Sequence, residues 1–301
     1  MIMTIKPAEV DISLHKIYSE DAFELDSILF EPKKKTNKII IHIHGKEGNF
    51  VQNHFVTVMG YKYPLEGYSF LTFNNRGHDY MADLLKRSSN GFEWIQGGAA
   101  FDLIEDSSKD INGVIEYVAN LGYGTIILQG HSLGPHKIAY YLANRPKYLI
   151  SKAIFISPGD IIYLLNTFVN DWKKYVNVAK KLVDDNKENM IMPIRIWSNA
   201  PVSAKTYWDY TNPNSNAWIF NFTSPNQEFK HFNKLTLPIL VIQPENDFAN
   251  GASHKQIVKM LYESSISKKI SVKVIYDAVH NFASKEKELS RVILDWLKSK
   301  K

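Results

Sequence analysis

The sequence contains no cysteine, and this absence excludes several kinds of chemistry at once. Without thiols the chain has no disulfide framework, no thiolate nucleophile and no cysteine-ligated metal. The absence says little about compartment, because a chain without cysteine survives in oxidising and in reducing surroundings. A nucleophile, if the protein has one, must be another type of side chain.

Long apolar runs are also missing. No stretch reaches the roughly 18 consecutive apolar residues that a membrane-spanning helix needs. The opening segment, "MIMTIKPAEVDISLHKIYSE", carries acidic residues early and has no apolar block of secretory length. We therefore expect a soluble, cytoplasmic protein without a membrane span.

The chain has no strong excess of charge of one sign. Its formal net charge is +5 over 301 residues, and its lysines lie in separate places, including 33–35, 173–174 and the "KSKK" tail. Separate groups of lysines indicate solvated faces rather than a stripe that binds nucleic acid. No nucleic-acid partner is expected.

Short β-rich runs alternate with helical patterns along most of the chain, which is typical of a mainly parallel sheet covered by helices. The opening segment, as far as "FELDSILFEP", has the pattern of a hairpin of edge strands. Further strands are predicted in "NKIIIHIHG", "YSFLTFNNRG", "GTIILQG", "LISKAIFISP", "LPILVIQPEND" and "KISVKVIYDAVH". Helices are predicted in "NFVQNHFVTVMGYKY", "GAAFDLIEDSSKDINGVIEYVANLGY", "HKIAYYLANRP" (ended by Pro146), "HKQIVKMLYESS" and "KEKELSRVILDWLKSK".

This alternation stops between Gly159 and about Thr236 and then resumes. The interval includes "DWKKYVNVAKKLVDDNKEN", which has the pattern of a surface helix. An insertion into a regular α/β domain is the simplest explanation. We predict an α/β core over residues 1–159 and 236–301, and a mainly helical cap over residues 160–235.

The motif "GHSLG", from Gly130 to Gly134, matches G-x-S-x-G and lies between a predicted strand and a predicted helix. The motif alone is weak, but this placement is the one that a nucleophile elbow requires. Glycines allow two backbones to pass closely, and a helix N-terminus favours developing negative charge. Ser132 is thus a candidate nucleophile, and the alternative is a serine that only caps the helix.

A nucleophilic serine needs a base, and an imidazole base needs an acceptor that fixes its tautomer. In the chain order Ser, Asp, His, each partner should follow a later strand. Asp247 lies just beyond "LPILVIQ", and His280 just beyond "ISVKVIYD". Glu245 and Asp160 are alternative acids, and the alternative for His280 is a loop histidine without a catalytic task.

Acyl transfer also needs hydrogen-bond donors for the oxyanion. The residue after the nucleophile, Leu133, would supply one backbone N–H group. The second would come from an early strand–helix loop, and "HGKEGN" offers the N–H group of Lys46. Both contacts use the main chain, so the side chain of Lys46 is expected to matter less than the local turn.

Together these motifs resemble those of the α/β-hydrolase superfamily, of the serine esterase and acyl-hydrolase type. The matching segments are "HGKEGN", "NNRGHD", "GHSLG", "PENDFA" and "DAVHNF", which span residues 44–282. The resemblance implies an eight-stranded, mostly parallel sheet flanked by helices, with the site at the carboxyl end of its strands. It also implies that residues 159–236 form a lid.

Several other histidines and one arginine invite functional interpretations. His42 and His44 lie on one face of a strand, but no third metal ligand has a natural place, so no metal or other cofactor is expected. His44 is expected to support the oxyanion loop, His42 to be a satisfied core residue, and His131 to pack under the turn. Arg76 is expected to pair with a carboxylate, and its alternatives are a substrate anchor or a surface charge.

The predicted cap is rich in aromatic residues, and this composition has two interpretations. Either these residues form a small lid core, or they line a substrate pocket and thereby favour an apolar or aromatic substrate. The residues are Trp172, Trp197, Trp208, Trp218, Tyr175, Tyr207, Tyr210, Phe220 and Phe222.

The sequence therefore predicts a serine hydrolase that cleaves an ester, thioester or amide of a hydrophobic acyl group through an acyl-enzyme on Ser132. The alternatives are an acyltransferase or a lyase with the same three residues, and a binding protein that keeps the fold without catalysis. The expected partner is a small-molecule acyl substrate, and a homodimer remains open.

Overall fold

The computed structural model describes residues 9–145, 150–197, 199–224 and 228–299. The strands are β1 (Val10–Tyr18), β2 (Glu24–Pro32), β3 (Lys38–Ile43), β4 (Ser69–Phe73), β5 (Ala82–Ser88), β6 (Gly91–Gly97), β7 (Thr125–His131), β8 (Ile150–Ile156), β9 (Ile239–Asn246) and β10 (Ile270–Val279). The α-helices are α1 (His54–Leu65), α2 (Ile104–Asn120), α3 (Gly134–Asn144), α4 (Ile161–Phe168), α5 (Val176–Asp184), α6 (Ala204–Thr211), α7 (His254–Ser264) and α8 (Glu286–Lys298).

The central sheet has eight strands in the order β1-β2-β4-β3-β7-β8-β9-β10. β1 pairs antiparallel with β2, and β2 with β4, whereas the strands from β4 to β10 in that order pair in parallel. The prediction of a mostly parallel, eight-stranded α/β sheet flanked by helices is confirmed. Pro146, the predicted end of α3, lies outside the described residues.

The inner strands are apolar on both faces because helices cover both sides of the sheet. Ile39, Ile40 and Ile41 of β3 are each fully buried, although their side chains point alternately to opposite faces. One apolar cluster joins Ile39 and Ile41 to residues of α2, α3 and α7, and a second joins Ile40 to residues of α1 and α8. A continuous apolar run is the pattern of such a two-sided strand.

A second, two-stranded sheet of β5 and β6 was not predicted from the sequence. Ser88 pairs with Gly91 across a two-residue turn, and Gly91 has a φ of 115°. The dipeptide Asn90-Gly91 between two half-polar runs is a hairpin signal that could have revealed it.

The interval between β8 and β9 contains α4, α5, α6 and short 3-10 turns at Trp172–Tyr175 and Phe232–Lys234. Apolar residues from Ile161 to Trp218 form a third cluster, which also includes Ile104 and Leu133 of the core. Residues from Ile219 to Leu235 belong instead to a cluster of the sheet core. The division into core and cap stays a prediction, and this packing favours a cap that ends near residue 218.

Four loops meet at one edge of the sheet, where parallel strands end together. They follow β3, β7, β9 and β10. In the sheet, β3 is next to β7 and β9 is next to β10, and β8 lies between these two pairs. In open α/β sheets this carboxyl edge is where ligands bind. Among the described residues, no helix has both the length and the apolar character needed to cross a bilayer.

Candidate active site

Ser132 occupies a sharp turn between β7 and α3. Its φ is 60°, which is the left-handed region that a residue with a side chain rarely adopts. Such a conformation costs on the order of 1 kcal/mol or more and persists only where the surroundings impose it. The surroundings here hold the hydroxyl above the end of the sheet.

The glycines around Ser132 are required by close backbone contacts. A Cβ atom on Gly130 would lie 2.6 Å from the carbonyl carbon of Gly134, and a Cβ atom on Gly134 would overlap the carbonyl oxygen of Ile43. A Cβ atom on Gly45 would lie 2.8 Å from the Cβ atom of Ser132. The turn can therefore be this tight only because these positions lack side chains.

Ser132, His280 and Asp247 form a continuous chain of hydrogen bonds. The Ser132 hydroxyl donates to Nε2 of His280 over 2.9 Å, and Nδ1–H of His280 donates to Oδ1 of Asp247 over 2.7 Å. The structure thus brings together three side chains from distant parts of the sequence. This geometry gives the imidazole one free acceptor nitrogen, and that nitrogen faces the hydroxyl.

Asp247 is held as an acceptor. Its side chain is 2% exposed, and its Oδ1 also accepts a hydrogen bond of 2.9 Å from the N–H group of Ala249. The alternative acids lie elsewhere in the hydrogen-bond network. Asp160 caps α4 and accepts from Thr223, and Glu245 accepts from the N–H group of Asp277.

The backbone of His280 is fixed from below. Nε2–H of His131 donates to the carbonyl oxygen of His280 over 2.9 Å, and the hydroxyl of Ser157 donates to the same oxygen over 3.1 Å. The ring of Phe248 lies over the imidazole of His280 at a centroid distance of 4.8 Å. His131 thus packs under the turn, whereas the roles of Ser157 and Phe248 were not predicted.

The loop after β3 lies against the turn that carries Ser132. A Cβ atom on Gly45 would lie 3.3 Å from the amide nitrogen of Leu133, so the two backbones are adjacent. Within the described ranges, the N–H groups of Leu133 and Lys46 have no hydrogen-bond acceptor in the protein. Gly45, Lys46, Ser132 and Leu133 all line the same cavity.

His44 connects this loop to the loop after β4. Its Nδ1–H donates to the carbonyl oxygen of Gly45 over 2.8 Å, and its Nε2 accepts from the N–H group of Asn75 over 3.1 Å. Burial lowers the pKa of His44 well below its ordinary value, so the ring is neutral and keeps one donor and one acceptor nitrogen. His42 is buried, and its Nδ1 accepts from the amide of Gln129 over 3.1 Å, but its Nε2 has no hydrogen-bond partner among the described residues, so the expectation of a satisfied core histidine holds for one ring nitrogen only. No cluster of metal-binding side chains includes either histidine in the described part of the chain.

Arg76 lies in a buried ion-pair network and is therefore neither a surface charge nor a substrate anchor. Its guanidinium donates to Asp110 over 2.7 Å and 3.0 Å, and to Asp21 over 2.5 Å and 3.0 Å. Burial opposes its charge, but the two carboxylates more than compensate and raise the pKa of Arg76. The prediction that Arg76 pairs with a carboxylate agrees with this arrangement.

A cavity of about 660 Å³ opens above Ser132 and His280. Apolar residues of its wall include Ile161, Leu164, Trp197 and Phe248. Of the aromatic residues in the predicted cap, Trp197 lines this cavity. The others pack away from it in apolar clusters, which are Trp172, Tyr175, Tyr207, Trp208, Tyr210 and Trp218 in the cap cluster and Phe220 and Phe222 in the sheet core.

The sequence and fold can be compared with those of known proteins. Residues 94–298 match the model of a protein family described as a protein of unknown function, DUF1749. The chain belongs to this family. No curated protein matches the sequence.

Several solved structures are similar in fold to this chain of the DUF1749 family. Est1E from Butyrivibrio proteoclasticus, solved with ferulic acid bound, is 15% identical with a TM-score of 0.63 and covers 94% of this chain and 98% of its own. The siderophore hydrolase EstB from Aspergillus fumigatus is 15% identical with a TM-score of 0.66, and the match covers 97% of this chain and 98% of EstB. The esterase PF2001 from Pyrococcus furiosus is 15% identical with a TM-score of 0.62, covering 99% and 95%. The predicted α/β-hydrolase fold is confirmed.

Proposed function

We propose that this protein is a serine hydrolase that cleaves an ester, thioester or amide of an apolar acyl group. The observation that supports this most strongly is the hydrogen-bonded chain from Ser132 through His280 to Asp247 at the floor of a cavity. Two of the structural neighbours are by name an esterase and a siderophore hydrolase, which favours an ester as the substrate.

The reaction begins when the Ser132 hydroxyl attacks the acyl carbonyl carbon. Nε2 of His280 takes the hydroxyl proton, and Asp247 stabilises the imidazolium that forms. The carbonyl oxygen becomes an oxyanion that accepts hydrogen bonds from the N–H groups of Leu133 and Lys46. His280 then gives its proton to the leaving group, and the acyl-enzyme remains on Ser132.

Water completes the reaction in the second half of the cycle. His280 takes a proton from a water molecule, whose oxygen attacks the acyl carbon. The second oxyanion collapses, the acid leaves, and Ser132 recovers its proton from His280. Release of free acid in the presence of a competing alcohol distinguishes hydrolysis from acyl transfer.

We also propose that the segment predicted as a cap, residues 160–235, supplies a lid over the cavity, and that its part up to about residue 218 forms this lid. Ile161, Leu164 and Trp197, which line its wall, all come from this interval. The apolar side chains favour an apolar or aromatic group in the substrate.

The test is turnover of p-nitrophenyl esters of graded acyl length by the wild type and by Ser132→Ala. The variant should lose turnover and labelling by a fluorophosphonate probe while it keeps its folded circular dichroism spectrum. Ser151→Ala is the matched control, because Ser151 donates to Ile126 on β7 at the opposite end of the sheet. Wild-type turnover or labelling in Ser132→Ala would refute the proposal.

A further inference from the structure

The cavity wall contains an ion pair that the proposed reaction does not use. Nζ of Lys46 lies 2.8 Å from Oε2 of Glu47, and the two side chains are 7% and 18% exposed. Nζ also lies 5.9 Å from the ring centroid of Trp197. All three residues line the cavity that contains Ser132.

This pair has unused hydrogen-bonding capacity. An ammonium group has three donors and a carboxylate has several acceptor sites. Within the described ranges, Lys46 and Glu47 are each other's only side-chain hydrogen-bond partner. A bound substrate that excludes water from this part of the cavity must therefore offer partners to the remaining donors and acceptors.

The chemistry of the pair selects the ligand group. The pair has no net charge, so the attraction of a carboxylate to Lys46 would be offset by its repulsion from Glu47, and that of an ammonium group to Glu47 by its repulsion from Lys46. A wholly apolar group would leave the spare donors and acceptors unpaired. A hydroxyl group fits both, because it accepts a hydrogen bond from Lys46 and donates one to Glu47.

We propose that Lys46 and Glu47 determine specificity by binding a hydroxyl group of the substrate. This inference rests on the proposed hydrolase function. The N–H group of Lys46 is proposed to contact the acyl carbonyl oxygen. The ammonium group of the same residue is separated from that N–H group only by the length of one lysine side chain, so the two can contact groups of the substrate that lie close together. The preferred substrate is therefore an otherwise apolar ester with a hydroxyl group a few bonds from the ester carbonyl.

The experiment compares kcat/KM for matched p-nitrophenyl esters of six to eight carbons, because shorter ω-hydroxy esters cyclise to lactones and release p-nitrophenol without enzyme. At each acyl length, three esters are compared: that of the unsubstituted (parent) acid, that of the ω-hydroxy acid and that of the ω-methoxy acid. The methoxy group accepts a hydrogen bond but donates none. Butyl and ω-hydroxybutyl esters place the same hydroxyl group on the alcohol half. Hydrogen bonds to charged groups predict that the best hydroxyl ester exceeds its parent by about tenfold or more, and that the methoxy ester gains less.

Three variants assign this preference. Lys46→Met keeps the main chain and the length of the side chain, and it should abolish the preference for the hydroxyl ester. Glu47→Gln should reduce the preference and narrow the gap between the hydroxyl and methoxy esters. The matched control is Lys173→Met, because Lys173 is exposed and lies 5.6 Å above the ring of Trp172 outside the cavity. Lys173→Met should keep the wild-type ratio of kcat/KM between the hydroxyl ester and its parent ester.

The outcomes separate the inference from the proposed function. Turnover without any hydroxyl preference at any length, or a preference that persists in Lys46→Met, would refute the inference alone. A wild type that cleaves no ester would refute the proposed function. In that case calorimetric binding of the parent and hydroxyl esters to Ser132→Ala still tests the pair, and equal affinities would refute it.

Discussion

The ammonium group of Lys137 lies 2.7 Å from the carboxylate of Asp102, and the two side chains are 0% and 3% exposed. Nζ of Lys137 also donates to Oδ1 of Asn75 over 3.0 Å. The N–H group of Asn75 donates to His44, which in turn donates to Gly45. A buried charge therefore connects the helix behind Ser132 to the loop that is proposed to bind the oxyanion.

Replacing Lys137 by Met should destabilise the fold strongly. The change leaves Asp102 buried without its cation, and breaking a buried ion pair in this way costs about 3–5 kcal/mol. The free energy of unfolding from urea titration measures the loss. Lys180→Met is the control, because Lys180 and Asp184 form an exposed pair. Exposed pairs of this kind contribute at most about 0.5 kcal/mol, and equal losses in the two variants would contradict the prediction.

Gly134→Ala should destabilise the turn around Ser132. The new methyl group would overlap the carbonyl oxygen of Ile43, and forcing a methyl group into a packed site costs about 1–3 kcal/mol. The urea midpoint should fall, and fluorophosphonate labelling of Ser132 should slow because the adjacent amide of Leu133 moves.

Gly124→Ala provides the comparison. A Cβ atom there has one neighbour, the side-chain nitrogen of Asn37, at 3.9 Å. Alanine at an open site restricts the unfolded chain, so stability should stay the same or rise by about 0.4–1 kcal/mol. If Gly134→Ala and Gly124→Ala lose the same free energy of unfolding, close packing does not explain why position 134 is glycine.

The placement of the three hydrogen-bonded residues could be predicted from the sequence because it follows from topology. Ser132, Asp247 and His280 each follow a strand of a parallel sheet, and parallel strands end at one edge. This rule needs no knowledge of distances. The same rule places Lys46 at that edge, because "HGKEGN" follows β3.

Contacts that depend on side-chain direction could not be predicted in this way. Lys137 was part of a predicted helix, and a lysine there is expected on the solvent face, but α3 turns it inward towards Asp102. The burial of Lys46 against Trp197 joins a core loop to the inserted segment. No periodicity in either segment indicates such a contact, and for the same reason the sequence pattern did not show that residues 219–235 pack with the sheet core.

Asp247→Asn should lower kcat by about four orders of magnitude, because an amide no longer fixes the His280 tautomer that accepts the Ser132 proton. The fold should persist, since the amide oxygen can still accept from Ala249. Hydrolysis of a p-nitrophenyl ester measures the effect. Asp277→Asn is the control, because its side chain is 87% exposed and precedes His280 by three residues. A comparable loss of kcat in Asp277→Asn would contradict the assignment of Asp247 as the acid that orients His280.

Asp209 should make stability depend on pH. Its side chain is buried at 8% exposure, and its Oδ2 has no hydrogen-bond partner among the described residues. Burial, together with the nearby carboxylates of Glu105 and Asp102, raises the pKa of Asp209 from 3.8 to about 8, although a hydrogen bond with Ser215 acts in the opposite direction. The folded protein therefore keeps this proton at neutral pH, whereas the unfolded chain loses it near pH 4.

Between about pH 4 and pH 8 the folded state thus binds more protons at Asp209 than the unfolded state does. The stability from this group is complete below the unfolded pKa and is lost as pH rises through the folded pKa, with a slope of at most about 1.4 kcal/mol per pH unit. Asp209→Asn removes the ionisation, so its advantage over the wild type in unfolding free energy should grow from pH 4 and level off above pH 8. Urea titrations at several pH values measure this difference, with Asp184→Asn on the exposed end of α5 as the control. A difference for Asp209→Asn that stays constant with pH, or that changes no more than the difference for Asp184→Asn, would show that Asp209 is ionised in the folded protein.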